Sequence, residues 1–253
     1  MPAAERHGQT LYPVLSLTFA LALWWTLALL LESPTLPTPA RVFAAVWDAA
    51  LHGTLLHDIA VSLARVAAAF VLAMAAGTGI GWIMGRSARL DALLDPLLVV
   101  ALNVPVLVVV VLAYVWLGLN DVAAVLAVVV VKTPTVAITV REGVRAIDTG
   151  LDELAHVFHV PLARRLRHVI LPQLAPYLAA AGRSGLAITW KIVLIVELLG
   201  RPDGVGFAIN MRFQDFDVAG IVGYGLVFAA VMLVVEAAVL RPWERRANAW
   251  RGG

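Results

Sequence analysis

The tetrapeptide Gly182-Arg183-Ser184-Gly185 spells the GxSG pattern in which an intramembrane serine protease carries its nucleophile. A serine hydroxyl attacks only when a nearby base takes its proton. The histidines His7, His52, His57, His156, His159 and His168 all fall in tails or loops, and none lies in an apolar run after Ser184, so the pattern lacks its base. A metal centre fits no better. His156 and His159 are three apart and His168 follows nine further on, without a carboxylate at ligand spacing on the same face. The chain has no cysteine, which excludes thiolate ligands and disulfides. It has no Walker motif either, so neither a catalytic residue nor a bound nucleotide or metal is expected in it.

Ionisable groups inside apolar runs carry more information, because an unpaired charge at mid-bilayer costs a few kcal/mol. Lys132 sits in VVVVKTPTVAIT beside Pro134, which frees a carbonyl and permits a kink. Lys191 and Glu197 sit in ITWKIVLIVELLG, where six residues turn a helix by about 600°, so the two point to different faces. Each is expected to face a polar cavity or another subunit, or else to snorkel or form an interhelical salt bridge. With Asn103, Thr133, Thr135 and Trp190 they make up the candidate substrate pathway. Arg65 and Arg183 lie nearer the ends of their runs and read as paired or snorkelling.

The elements that hold these residues follow from composition. The 253 residues are 61% hydrophobic and 14% charged, against about 25% charged in a soluble domain, so the chain belongs in a bilayer. Runs of roughly 20 apolar residues can span it, and six qualify: 11–31, 59–84, 93–117, 122–140, 174–199 and 219–240. Loops and tails on one side carry twelve Lys and Arg, those on the other carry three. The positive-inside rule then places both termini in the cytoplasm, with 1–10 and 241–253 as cytoplasmic tails around one membrane domain over 11–240. The distribution is that of topology signals, not of a nucleic-acid-binding face. The outer stretch ESPTLPTPARVF should be extended before turning helical near Ala40. Gly77, Gly81 and Gly85 share one helical face and allow close helix contact.

Between the fourth and fifth spans lies ELAHVFHVPLARRLRHVILP, from Glu153 to Pro172. Leu154, Val157 and Phe158 form an apolar stripe. Pro161 breaks the first helix, the cations Arg164, Arg165, Arg167 and His168 follow, and Pro172 ends the second helix and starts the next span. Such a cytoplasmic helix-break-helix suits either lipid anchoring or the docking of a soluble partner.

The segment resembles the EAA loop of ABC importer permeases: E-A-A, three residues, G, nine residues, I-x-L-P. Glu153, Leu154 and Ala155 occupy the first positions, His159 the glycine position, and Val169, Leu171 and Pro172 the last. Leu154 and His159 depart from the pattern, and His tolerates positive φ better than most residues. Further matches at Ser62, Arg65, Gly81, Gly85, Trp190, Glu197, Gly204 and Gly206 are similar to the nitrate/sulfonate/taurine branch. The third and fourth spans lack the double proline and aromatic-rich pattern usual there.

The resemblance implies an all-α membrane protein with the type I (MetI-like) permease fold, located in a bacterial inner membrane. It implies two ATPase subunits that carry the ATP and Mg, a second copy or near relative of this chain, and a periplasmic or lipid-anchored binding protein. The coupling residues would be Glu153, Leu154, Ala155, His156, Val157, Phe158, His159, Val160, Pro161 and Leu162, as a helix over 153–162 within a loop of about 148–173. The two lysines favour a small anion such as a sulfonate, taurine or nitrate. Thiamine precursors, flavins or aromatic acids are the alternative cargo, and a non-transport membrane interaction protein is the alternative class.

Overall fold

In hydrocarbon a backbone amide finds no water, so long apolar runs satisfy their polar groups internally as helices. The computed structural model is helical throughout its described elements. It describes residues 3–248, and the side chains among these other than those of 3–11, 13, 149, 152, 155, 156 and 248. Arg251, one of the predicted tail cations, lies outside the described residues, as do the side chains of Arg6, Ala155 and His156.

The helices are α1 (Ala3–Leu31), α2 (Pro39–Leu51), α3 (Leu55–Arg86), α4 (Ala88–Asn103), α5 (Val106–Leu117), α6 (Asp121–Arg145), α7 (Thr149–Val157), α8 (Leu162–Arg165), α9 (Leu171–Gly200), α10 (Val205–Gln214), α11 (Val218–Val235) and α12 (Arg241–Asn248). π-helical turns at Leu166–Ile170 and Glu236–Leu240 join α8 to α9 and α11 to α12. Among the described residues five helices are long and apolar enough to cross a membrane, and the bent pair α4 and α5 makes a sixth crossing if counted as one. The tail stretches are themselves helical where described: α1 starts at Ala3, and α12 continues α11 beyond residue 240.

Cap residues set several starts. The side chains of Thr38, Ser87, Asn120 and Asp217 accept bonds from backbone amides in the first turns of α2, α4, α6 and α11. Pro39 at the first turn of α2 reinforces its start, close to the predicted position.

The centre of the fold is α6, packed along α3 on one side and α9 on the other. Gly77, Gly81 and Gly85 form the α3 side of that seam. A Cβ on them would stand 2.5 Å from Val136 Cβ, 2.4 Å from the Ala137 carbonyl oxygen and 2.5 Å from Val144 Cβ. Only hydrogen fits there. At the C-terminal end of α6 Arg141 pairs with Asp91 at 3.1 Å and with Asp95, and Arg145 pairs with Asp91 at 2.5 Å, fastening α4 to α6. The first helix stands apart. Ala28 is its one buried side chain among those described, and its Trp24 Nε1 donates to the Pro37 carbonyl at 3.1 Å.

Two expectations change. The run 93–117 is not one helix but α4 and α5, bent by 96°. Val104 precedes Pro105 and adopts ψ 126°, because a proline ring disfavours the helical region for the residue before it. Pro134, expected to permit a kink, lies inside α6, and the helix runs through it from Asp121 to Arg145. Pro172 ends nothing either. The π turn widens the helix where the ring would meet the carbonyl four residues earlier, and the helix continues through it from 162 to 200.

Candidate functional site

The helix of the loop between α6 and α9 is α7, Thr149–Val157, starting and ending earlier than the predicted 153–162. Asp148 sets the start, its Oδ1 accepting from Gly150 N at 2.8 Å. Gln173, which sequence reasoning missed, ties that start to α9: its Oε1 accepts from Asp148 N at 2.9 Å and its Nε2 donates to the Val169 carbonyl at 2.9 Å. At the other end Phe158 N closes the last turn on the Leu154 carbonyl at 3.0 Å. His159 then takes φ +49° and Pro161 starts α8. The residue standing where the family pattern has glycine therefore adopts the left-handed backbone a glycine would supply.

This loop holds its apolar side chains in the open. Leu154, Val157 and Phe158 are 53%, 71% and 72% exposed. Glu153, His159 and Leu162 are exposed as well, Val160 is half-buried and Pro161 is exposed. Leu154, Phe158 and Val160 face Val169 and Pro172 across a groove of about 440 Å³. Hydrocarbon area of this size at the charged end of the helices suits burial against lipid or against a protein partner.

The opposite end of the bundle holds a buried ion cluster built on Glu197, which is 0% exposed. Ser62 Oγ donates to the Glu197 carboxylate at 2.7 Å, Gly206 N donates to Oε2 at 2.9 Å, and Arg65 Nη1 donates to Oε1 at 2.9 Å. Arg65 also holds the Asp203 carbonyl at 3.0 Å, Asp203 Oδ1 at 2.5 Å and, through Nε, Asp121 Oδ1 at 2.8 Å. Val205 N donates to Ser62 Oγ at 2.9 Å, and Arg201 Nη2 meets Asp121 Oδ2 at 3.1 Å. One guanidinium thus fastens α3, α6, α9 and the turn into α10. Gly204 has φ +98°, and a Cβ on it would lie 2.5 Å from the Glu197 carboxyl carbon.

The candidate pathway residues do not come together. Glu197 belongs to the ion cluster and is fully buried. Lys132 is 2% exposed and its Nζ has no hydrogen-bond partner. Its Cε packs where α6 meets Phe70 of α3 and Gly185 of α9, so it faces neither a polar cavity nor the outside of the chain. Thr133 Oγ1 and Thr189 Oγ1 are likewise buried without partners. Thr135 is half-buried, and its carbonyl accepts from Thr139 Oγ1 at 3.0 Å. Asn103 caps its own helix, donating to the Val99 carbonyl at 2.7 Å. Trp190 stacks edge-on against Phe228 at 6.0 Å. Lys191 alone of the candidate cations is exposed, with Nζ 5.6 Å from the Trp190 ring centre. Ser184 donates to the Ala181 carbonyl at 3.3 Å, and Arg183 pairs with Glu244 at 3.1 Å. Among the described residues no cluster of His, Asp and Glu could hold a metal ion.

Comparison with known proteins gives this arrangement a family. Residues 77–241 match the model of the binding-protein-dependent transport system inner membrane component. A putative aliphatic sulfonates transport permease protein of Bacillus subtilis is 29% identical over 99% of this chain and 91% of its own length. The taurine transport system permease protein of Escherichia coli is 28% identical over 94% of this chain and 88% of its own. A bicarbonate transport system permease protein of Synechococcus elongatus is 29% identical over 73% and 68%. Among solved structures, a chain of the MetNI methionine ABC transporter in an inward-facing conformation superposes with a TM-score of 0.66 at 17% identity, over 79% of this chain and 97% of that one. The apolar helices, the exposed α7 and the match over most of the chain have one reading: this is a multi-pass ABC importer permease, a member of the binding-protein-dependent transport system inner membrane component family.

Proposed function

We propose that this permease imports a small anion, that α7 is its socket in an ATPase subunit, and that two copies of the chain enclose the path. ATP and Mg act on two partner ATPases, and a binding protein delivers cargo from outside. Both termini lie in the cytoplasm, on the arginine-rich side. The observation that carries the coupling assignment is the exposed stripe Leu154, Val157 and Phe158 on a helix anchored at both ends, by Gln173 and by the turn at His159. Apolar anchors inserted into a partner groove supply affinity, and Glu153 with the neighbouring arginines fixes register. ATP-driven closure of the ATPase dimer moves the socket, and the helices continuous with it alternate access.

The anion class is supported by the relatives, which are named for aliphatic sulfonates, taurine and bicarbonate. Each of these carries a compact oxyanion. The test is reconstitution of the permease with its ATPase and binding protein in proteoliposomes, followed by ATP-dependent uptake of radiolabelled taurine, ethanesulfonate, nitrate and bicarbonate. Saturable uptake of one or more is expected. Failure of the permease to co-purify with an ATP-binding subunit would overturn the coupling assignment, and uptake of none of these anions would overturn the cargo class.

A further inference from the structure

The exposed residues of α9 trace one sector of the helix. Ser184, Ala187, Ile188, Lys191, Ile195 and Leu198 are exposed, whereas Gly185, Leu186, Thr189, Ile192, Val193 and Val196 are buried against the rest of the chain. At 100° per residue the exposed set over residues 180–200, with Arg183 and Leu199 at its two edges, covers about 160°, and Lys191 falls at its middle. An ammonium at the centre of a lipid-facing stripe is a costly placement.

Snorkelling does not relieve it. Lys191 is nine residues before the outer end of α9 at Gly200, which is about 13 Å of helix. A lysine stem reaches about 6 Å. Neither does an internal partner. Among the described residues Lys191 forms no ion pair, its one recorded contact being the neighbouring Trp190 ring. Lys132, the other mid-span lysine, lies on the packed side of α9 and is sealed.

We propose that this face of α9 lines the translocation path and that Lys191 is the group through which the path selects an anion, recognising the sulfonate or carboxylate-like oxygens of the cargo. The proposal rests on the importer reading above. It adds that selection is made by a single cation on each copy's α9, and that water, not lipid, bathes this stripe.

The absence of native cysteine makes the test direct, since a thiol at 191 is the only one in the chain. Lys191→Met, Lys191→Arg and Lys191→Cys are assembled with the ATPase and binding protein in proteoliposomes. Uptake of the anion carried by the wild type is then measured alongside basal ATP hydrolysis. Lys191→Met is expected to lose uptake by about tenfold or more, the loss of one charge-assisted contact, while complex yield and basal hydrolysis stay at the wild-type level. Lys191→Arg is expected to keep most of the uptake. In Lys191→Cys, aminoethyl methanethiosulfonate, which restores a cation, is expected to recover uptake, whereas the neutral methyl reagent is not; the wild-type complex treated identically controls for thiols on the partners. Because the reagents act on an assembled complex, this arm holds even where Lys191→Met fails to assemble. Wild-type uptake by Lys191→Met or by the methyl-capped cysteine overturns the proposal and leaves the importer reading intact. A cysteine that reacts with neither reagent overturns it as well, by placing the stripe in lipid or in a dry interface. Wild-type complex that carries none of the anions overturns both.

Discussion

The residues that matter most to stability sit far apart in sequence. Arg65 and Glu197 are separated by 132 positions and meet at 2.9 Å with almost no solvent contact. Removing one member of such a pair strands the other charge, at a cost of about 3–5 kcal/mol. Arg65→Ala and Glu197→Ala are each expected to lower the thermal midpoint in detergent sharply and to reduce the amount of protein in the membrane; an unchanged midpoint for either would show that the cluster is not a fastening. Lys132 predicts the opposite sign. Its ammonium is buried without a partner, so Lys132→Met, which keeps the stem and removes the charge, is expected to raise stability by about 1–3 kcal/mol. Anion uptake should persist in that variant. A fall in the midpoint, measured by the same melting experiment, would show that Lys132 has an interaction the fold depends on. Both lysines, both ends of the ion pair and the oddity of each in an apolar span were legible in the sequence. Their facing was not, because helical phase relative to neighbours is fixed by packing: Gly185 opens room for Lys132 on one side of α9 while Lys191 points to the other.

At the level of elements, the loop from Asp148 to Pro172 was legible as helix, break and helix because an apolar stripe, a proline and a spacing pattern coincide. Its boundaries were not, since the Asp148 cap and the Gln173 bonds are set by a contact across 25 positions. The broken span was hidden for a related reason: averaging hydropathy over 93–117 reads through the Val104-Pro105 step that turns the backbone. The loop makes two predictions. His159 pays for a left-handed backbone at φ +49°, so His159→Gly is expected to stabilise the turn by up to about 1 kcal/mol and to keep coupled transport, whereas His159→Val, β-branched, is expected to lose it. The ratio of uptake to ATP hydrolysis is the measurement, and equal ratios for the two variants would show that the turn's conformation is irrelevant. Phe158→Asp is expected to insert normally in the membrane, yet to detach or uncouple the ATPase and abolish uptake. Normal transport by it would remove α7 from the coupling path.

At the scale of the whole molecule, α1 is an annex to the bundle: it touches α2 and little else, and the MetNI chain superposes over 79% of this one. A protease site placed at Ser33 and cut after purification is therefore expected to leave the thermal midpoint of the remainder within about 1–2 °C, in line with an element contributing little buried area; a large drop would make α1 part of the core. The heavier consequence lies in the rod that runs without interruption from Leu162 to Gly200, 39 residues. At 1.5 Å per residue it is about 58 Å long, with the turn at His159 beside one end and the Glu197 cluster near the other. A continuous helix of that length can serve as a lever: a rotation of about 5° at one end sweeps the other through about 5 Å, so under the proposed coupling a small tilt at the α7 end would displace the Glu197 end by several ångströms.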